Sequence, residues 1–524
     1  MAASLRRTLY NNSCCHPSYF VQQGSQCITY TRCLRSVLNR CFILRNQSNG
    51  TYMSNLITKD SKVDKSVAEH LEQQSVGKSG HINYRSHPGV INRKKSNLPS
   101  RLVKAIKILI EKYPVKALAV QTEKLLRYLQ HRRIPPSDSV LTDKAREIES
   151  KILEKDGNIF EGLSGSSLKE AIEAHKRKIF LRLKKTVYHW KPMQYDAFTS
   201  YVYLVSSITL DFAAASQCFT EITKRDPDFK PLSVYHLGSK VGAGIWAADK
   251  AWRTIGEHYC IDSSPHMNTI AQLLLQDGNE QLHVQSIPGV YFRQFEPSAK
   301  EHKHPLVVST NILIEQPSQQ ERLKLVQDLW ERTQNYLILI EYGTTAGFTL
   351  INEARDYLIW LSADQPEDFE GHAFAPCPHD RPCPKNARQQ LCLAQCTLHD
   401  QPLTPIKLTE NPKKTARYSY LIFKRGPREK ATTWPRVIQE SKASKHTHLH
   451  LCLPCGDLQH VVVTRGKFEK HLYSCSRNVD QGDLLPVSLS NEPLKPSDKN
   501  ENIEEISNDE IDEANSNDTS KVIT

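Results

Sequence analysis

The chain has 524 residues, 39% of them hydrophobic, and a formal net charge of +12. That length suits roughly two to four domains. No run of about 18 apolar residues stands out, so no membrane-spanning helix is expected.

Charge is sorted by segment. Residues 1–59 hold seven basic side chains and no Asp or Glu. An acid-free stretch containing Arg and Ser predicts a mitochondrial transit peptide over 1–59, with its cleavage point open, and a place in the mitochondrial matrix. Cys14, Cys15, Cys27, Cys33 and Cys41 leave with such a leader. In a reducing matrix the later cysteines are read as thiols or metal ligands.

Residues 60–98 are polar and lack periodicity, which predicts a linker. The block 99–190 is predicted helical and basic, and residues 60–190 together carry 27 basic and 15 acidic side chains. Leu102, Ile106, Leu109 and Ile110 share one face. Leu125, Leu126 and Leu129 continue in a later helix, and Pro135 and Pro136 interrupt. Within 168–185, Ile172, Ile179, Phe180 and Leu183 recur at helical spacing. The other face carries His175, Lys176, Arg177, Lys178, Arg182, Lys184 and Lys185. An isolated basic face is most often a solvated surface, but the charge of the whole block points to contact with an RNA backbone.

The domain expected over 191–364 opens with two helices in 194–232. Strand candidates at 233–237, 259–261, 305–309 and 336–341 then alternate with helices at 245–254, 267–275 and 319–333. This rhythm predicts an α/β fold with a parallel sheet and helical crossovers. Residues 234–244 place Gly238, Gly242 and Gly244 at a strand-to-helix turn, where backbone amides can approach a ligand. Asp262 follows at the end of the next strand, where an acidic residue can bind ribose hydroxyls. The bland alternative is tight helix–strand packing with no ligand.

A cysteine-rich module is expected over 365–485, with strands at 418–424 and 460–464. Cys377 and Cys383, flanked by prolines, are followed by Cys392 and Cys396, then by Cys452 and Cys455. Four thiolates from three segments can hold tetrahedral zinc or an iron–sulfur cluster. Offsets of six and nine residues suit a cluster at least as well as a single ion. His379 keeps a mixed Cys/His zinc site open, and unrelated buried cysteines are the bland alternative. Residues 486–524 form an acidic tail free of aromatics, predicted disordered.

Several segments together resemble a family of mitochondrial small-ribosomal-subunit assembly proteins built on a methyltransferase fold. They are the run from Glu221 to Phe229, the turn Gly238–Gly244, Asp262 with Ser263 and Ser264, and 329–333. Next come 340–348, 351–355 and the most specific piece, Ala375-Pro-Cys-Pro-His-Asp-Arg-Pro-Cys-Pro384. Ser419 to Leu421, Trp434 to Arg436, Leu451 with Cys452, and Gly482 to Pro486 extend it. The resemblance implies a class I (Rossmann-like) methyltransferase fold with an N-terminal helical region and a C-terminal iron–sulfur module. It implies S-adenosylmethionine near Gly238, Gly242 and Asp262, and a 4Fe–4S cluster on Cys377, Cys383, Cys392 and Cys452, with Cys396 or Cys455 as substitutes. It also implies a single copy bound to the rRNA and proteins of the maturing mitochondrial small subunit, between head and body, blocking the messenger channel without catalysis.

Two departures bear on catalysis. His236 stands where the methyltransferase signature usually has an acidic residue, and Lys240 where it has a further glycine. No amine-methylating motif follows the strand at 305–309. The alternatives are an active rRNA methyltransferase and a zinc-containing RNA-binding module.

Overall fold

The computed structural model describes residues 56–77, 82–91, 96–157, 160–297, 302–399, 413–428 and 433–488. The leader before residue 56 and the acidic tail after residue 488 lie outside the described residues.

The described residues begin with β1 (Lys62–Val63) and α1 (Lys65–Gly77), then four helices: α2 (Ser100–Ile110), α3 (Val115–Gln130), α4 (Asp138–Asp156) and α5 (Gly165–Thr186). Leu102, Ala105, Ile106, Leu109 and Ile110 recur at helical spacing along α2 and are buried. α4 starts where Ser137 Oγ accepts from the Val140 N–H at 3.3 Å.

α6 (Ala197–Arg225) follows, where two helices were expected. Nothing inside it breaks a helix: it has no Gly or Pro before Asp226 and Pro227, and Asp196 caps its start on the Thr199 N–H at 2.7 Å. By length and composition it also corrects the expectation of no membrane-length apolar segment. Its most apolar window has a mean hydropathy of 1.3, and 78% of that window is buried within the protein. It is the central core helix, packed beneath the sheet.

The α/β unit runs β2 (Ser233–Leu237), α7 (Ala243–Ala251), β3 (Glu257–Ile261), α8 (Pro265–Leu275), β4 (Val290–Arg293), β5 (His304–Thr310), α9 (Gln319–Glu331), β6 (Thr333–Tyr342) and α10 (Thr345–Asp364). β7 (Gly371–Ala375), β8 (Ala394–His399) and β9 (Lys413–Arg425) complete the sheet. Its order is β4-β3-β2-β5-β6-β9-β7, with β8 paired to β9. β2 to β6 are mutually parallel, and β9 runs antiparallel to β6 and β7. Counted from β2 with β8 set aside, this is order 3-2-1-4-5-7-6 with the last strand reversed, the sheet expected of a class I methyltransferase. One apolar core lies against α2, α3, α6, α7 and α8, the other against α9 and α10. Strand order reverses between β2 and β5, and in such sheets ligands bind at that crevice beyond the carboxyl ends.

The described residues close with β10 (Arg436–Lys442), β11 (His446–Cys452), β12 (Leu458–Thr464), α11 (Lys470–Asn478) and β13 (Val487–Ser488). β10, β11 and β12 form an antiparallel sheet. Its core includes Leu449, Leu451, Val461, Val463, Leu472 and Val487, and also Ile57, Val63, Val67 and Leu71. β1 pairs with β13. Farther along, the Leu484 N–H donates to Gly89 O at 2.8 Å, and the Ile91 N–H to Asp483 Oδ1 at 2.7 Å. The expected polar linker over 60–98 is thus corrected in its described part: it folds onto the C-terminal module. Its few apolar residues find their partners some 400 positions away, so they leave no local period. The leader expected to reach residue 59 also overlaps this fold, because Ile57 is buried and its N–H donates to Gln459 Oε1 at 2.9 Å.

Candidate functional site

Two groups of side chains gather at strand ends. The first is the crevice beyond β2. Gly238, Lys240 and Gly242 all have left-handed backbone, with φ of 71°, 51° and 83°. Glycine adopts this without strain, whereas a lysine does so at a cost on the order of 1–3 kcal/mol. The Gly238 N–H donates to Ile261 O at 2.8 Å, tying the turn to β3.

Asp262 stands beside the turn, but both its oxygens are already engaged. Oδ2 accepts from the Lys240 N–H and Oδ1 from the Ser264 N–H, each at 3.0 Å. A Cβ on Gly238 would lie 2.4 Å from Ile312 Cγ1 and 2.9 Å from Thr310 O, so Ile312 covers the bare backbone. A cavity of about 10 Å³, room for about one water, lies beside the turn between Asp211, His236, Ser239 and Lys240.

Lys240 is buried, with Nζ 5.2 Å from the Tyr195 ring centre and 6.0 Å from that of Tyr203. Burial works against its charge, but attraction to Tyr195, Asp262, Glu315 and Asp211 outweighs that and lifts its pKa above lysine's ordinary value. Burial pushes Asp211 up to about 6 even though Tyr203 Oη donates to it at 2.7 Å. Burial likewise pushes Glu341 up to about 8. Its Oε1 accepts from the Leu313 N–H at 2.8 Å. Glu315 pairs with the buried Arg132. His236 is buried against His258 and held well below the ordinary histidine range, first by burial and then by His258, so it brings no carboxylate to the turn.

Gly238, Gly242 and Asp262 thus converge at the switch point. The turn and carboxylate fit a nucleoside in kind, and Ser239 Oγ, Asn311 Oδ1 and Glu341 Oε2 are buried without a hydrogen-bond partner among the described residues. The space does not fit one, because Lys240 and Ile312 fill it.

The second group is the cysteines. Cys377 and Cys383 lie on the loop after β7, Cys392 on the segment before β8, and Cys452 ends β11. The thiols lie within electrostatic reach of one another. Burial first and then Cys377 raise Cys383; burial, Cys377 and Cys383 push Cys392 up to about 12; burial, Cys377, Cys392 and Cys383 raise Cys452. Cys455 instead turns to Asp457, its thiol 3.6 Å from Oδ2. The side chain of Cys396 lies outside the described residues.

His379 Nε2 is 3.3 Å from Cys452 Sγ, and its Nδ1 is 3.1 Å from Arg381 O. Burial and then Arg355 lower its pKa to about 3, so it is neutral. With Nδ1–H donating to the carbonyl, Nε2 faces the sulfur as an acceptor. Among the described residues no three His, Cys, Asp or Glu side chains converge on a single-ion site.

Two arginines brace this loop. Arg355 on α10 donates to His379 O at 2.9 Å and Arg381 O at 2.6 Å, and attracts Cys377 and Cys383. Arg436 on β10 donates to Pro376 O at 2.8 Å and Gly482 O at 2.7 Å, and pairs with the buried Glu221 of α6. Tyr420 Oη also donates to Glu221, at 2.9 Å. Glu221, Arg355 and Arg436 all fall in segments that carry the family resemblance, but only tertiary contact assigns them this bracing.

On α5 the side chains of Lys176, Arg177, Lys184 and Lys185 are exposed. His175 leaves the expected basic face: it is buried, edge-on to Phe160 at 5.3 Å.

The family described as "Mitochondrial small ribosomal subunit Rsm22" matches residues 197–486, more than half of the chain. The human "Ribosome assembly protein METTL17, mitochondrial" is 36% identical over 408 residues, 77% of this chain and 86% of that protein. "Rsm22-cox11 tandem protein 2, mitochondrial" of Schizosaccharomyces pombe is 24% identical over 339 residues, 57% of this chain and 44% of that longer protein. Among solved structures, magnesium protoporphyrin IX methyltransferase from Synechocystis, with bound SAM, is 15% identical, covers 45% of this chain and 87% of its own, and has a TM-score of 0.26. On its sheet order and these matches, the chain belongs to the Rsm22 family of mitochondrial small ribosomal subunit proteins.

Proposed function

We propose that this protein is an assembly factor of the mitochondrial small ribosomal subunit that works in the matrix by binding and not by methyl transfer. In this reading a single copy sits between head and body and blocks the messenger channel. Cys377, Cys383, Cys392 and Cys452 hold a 4Fe–4S cluster. The observation that carries the cluster is the gathering of these four thiols from three separate segments, beside Arg355 and Arg436. A zinc ion held at about 2.3 Å by each sulfur would need them roughly 3.8 Å apart. A cluster accepts wider spacing, in keeping with the lack of a single-ion convergence among the described residues.

The cluster, when bound, supplies binding free energy that is also folding free energy. Arg355 and Arg436 fix the loop carbonyls and place positive charge beside thiolates. Glu221 ties the same loop to α6, so the cysteine module and the methyltransferase-like core are set in one orientation. The exposed Lys176, Arg177, Lys184 and Lys185 present charge to rRNA phosphates.

Against methyl transfer stand Lys240, Ile312 and the two backbone N–H groups that already occupy Asp262. Weak, non-catalytic binding of S-adenosylmethionine is part of the reading, supported by the three partnerless polar atoms. A mixed Cys/His zinc site is the second reading, favoured by the contact of His379 with Cys452. Anaerobic purification with iron, sulfide and zinc analysis tests the two. Matching iron and sulfide with broad visible absorbance is expected; a colourless protein with stoichiometric zinc overturns the cluster.

A further inference from the structure

β11 reads His-Thr-His-Leu-His-Leu-Cys. Strand alternation sends Thr447, Leu449 and Leu451 into the interior, where all three are buried, and puts His446, His448 and His450 on the opposite face. His460 of β12 joins this row from the neighbouring strand, in register with His450. The three histidines of β11 are half-buried and His460 is exposed. Their other cross-strand partners, Gln439 and Ser441 on β10 and Val462 and Thr464 on β12, carry no charge. Nothing in the function proposed above uses this face.

Within the row one pair meets through its nitrogens. His448 Nδ1 lies 3.1 Å from His460 Nε2, with the rings 15° from parallel and their centres 5.3 Å apart. In such a contact one nitrogen donates its proton and the other offers a lone pair. His450 stacks on His460 at 4.5 Å and 10°, which limits where the His460 ring can turn. His446 meets His448 only edge to face, at 4.9 Å and 73°.

We propose that His448 and His460 form a two-nitrogen site for a late first-row divalent ion of the zinc, nickel or copper(II) kind, separate from the cysteine site. Neutral imidazole suits these ions. An ion about 2.1 Å from each nitrogen subtends about 95° across the 3.1 Å separation, between the square and the tetrahedral angle. The ion takes the place of the shared proton, which moves to the other nitrogen of its own ring, and the exposed His460 ring turns to aim its lone pair. Two protein ligands leave the rest of the coordination shell to water, in keeping with the lack of a three-ligand convergence among the described residues. His448 stands four residues before Cys452, roughly 13 Å along the strand, so the two sites share no ligand.

The test is equilibrium dialysis of the full protein, purified anaerobically and without a histidine tag, against Ni2+ alone. Iron, sulfide and thermal unfolding are measured on the same samples. The expected result is one nickel per chain with iron and sulfide unchanged, and a rise in Tm with nickel. His448→Gln and His460→Gln should each weaken nickel binding on the order of tenfold or more, because the second nitrogen binds an ion the first already holds. His446→Gln, on the same face but outside the pair, should bind as the wild type does. His460 is exposed, so its variant keeps the fold if the half-buried His448 variant does not. Wild-type protein that takes up no nickel overturns the proposal, as does binding that survives both pair variants. An equal loss in His446→Gln would mean a diffuse histidine-rich surface, and nickel gained at the expense of iron would place the ion at the cysteines; either result overturns the pair.

Discussion

In the crevice beyond β2, the chain meets most of the charge it buries. The ammonium of Lys240 faces three acids, Asp262 is bound by two backbone N–H groups, and Ile312 covers Gly238. At the cysteine loop the balance is left open. Four thiols stand within one another's field, and the nearby guanidiniums of Arg355 and Arg436 are largely spent on loop carbonyls and carboxylates. Thiolates so close repel one another unless positive charge sits among them. Burial and mutual proximity raise the pKa values of Cys383, Cys392 and Cys452, so these groups stay neutral thiols until a cation draws off their protons. The difference sets a crevice that neutralises its own buried charge against a cysteine loop that, under the function proposed above, is completed by a ligand.

The largest expected effect breaks the comparison if it fails. Cys452→Ser should lose iron, and the cysteine loop and the β10–β12 sheet should become protease-sensitive, because a site built from distant loops folds with its metal. Limited proteolysis should leave the α/β unit from β2 to α10 intact. A variant that loses iron yet keeps a protease-resistant C-terminal module would show that the module stands without a cluster.

Next in size is Arg436→Met. Burial alone would raise the Glu221 carboxyl, but Arg436 and Arg225 outweigh it and hold it below the ordinary glutamate range. A depressed carboxyl stabilises the fold above its unfolded-state pKa, and that stability is lost as pH falls through the folded value. Removing Arg436 leaves a buried, underpaired charge and should cost about 3–5 kcal/mol near neutral pH. Chemical denaturation across pH should show the deficit shrinking as pH falls through the ordinary glutamate range toward the depressed folded value, where Glu221 is protonated. A deficit that does not change with pH would assign the effect to lost packing.

The smallest effect sharpens the crevice side. Gly238→Ala should destabilise by about 1–3 kcal/mol, since a Cβ would meet Ile312 and Thr310 O in a left-handed backbone. Ile312→Ala in the same chain should recover part of that loss in thermal unfolding. No recovery would mean that backbone strain, and not the covering side chain, sets the cost.

The interior strands β2, β3, β5 and β6 were readable as short apolar runs, because a strand buried on both faces needs them. β4 and β7 were missed: one reads Val-Tyr-Phe-Arg and the other begins with glycine, and as edge strands they are less constrained in composition. Joining 197–225 into one helix needed only its absence of Gly and Pro, but its extensive burial hid the amphipathic period. The four cysteines were legible as a set through the resemblance, and their spacing alone left zinc and cluster open.

What the sequence determined by itself is local: the strand–turn–helix with its glycines, the acid at the end of β3, the cysteines with their prolines, and the segregation of charge. These follow from backbone geometry and from side chains a few residues apart. Tertiary structure alone decided that Lys240 and Ile312 fill the crevice, that Glu221 of α6 holds Arg436 of β10, and that residues 57–71 complete a core with 437–487. Those contacts join positions from tens to some 400 residues apart, where burial and charge pairing act through space and leave no period in the chain.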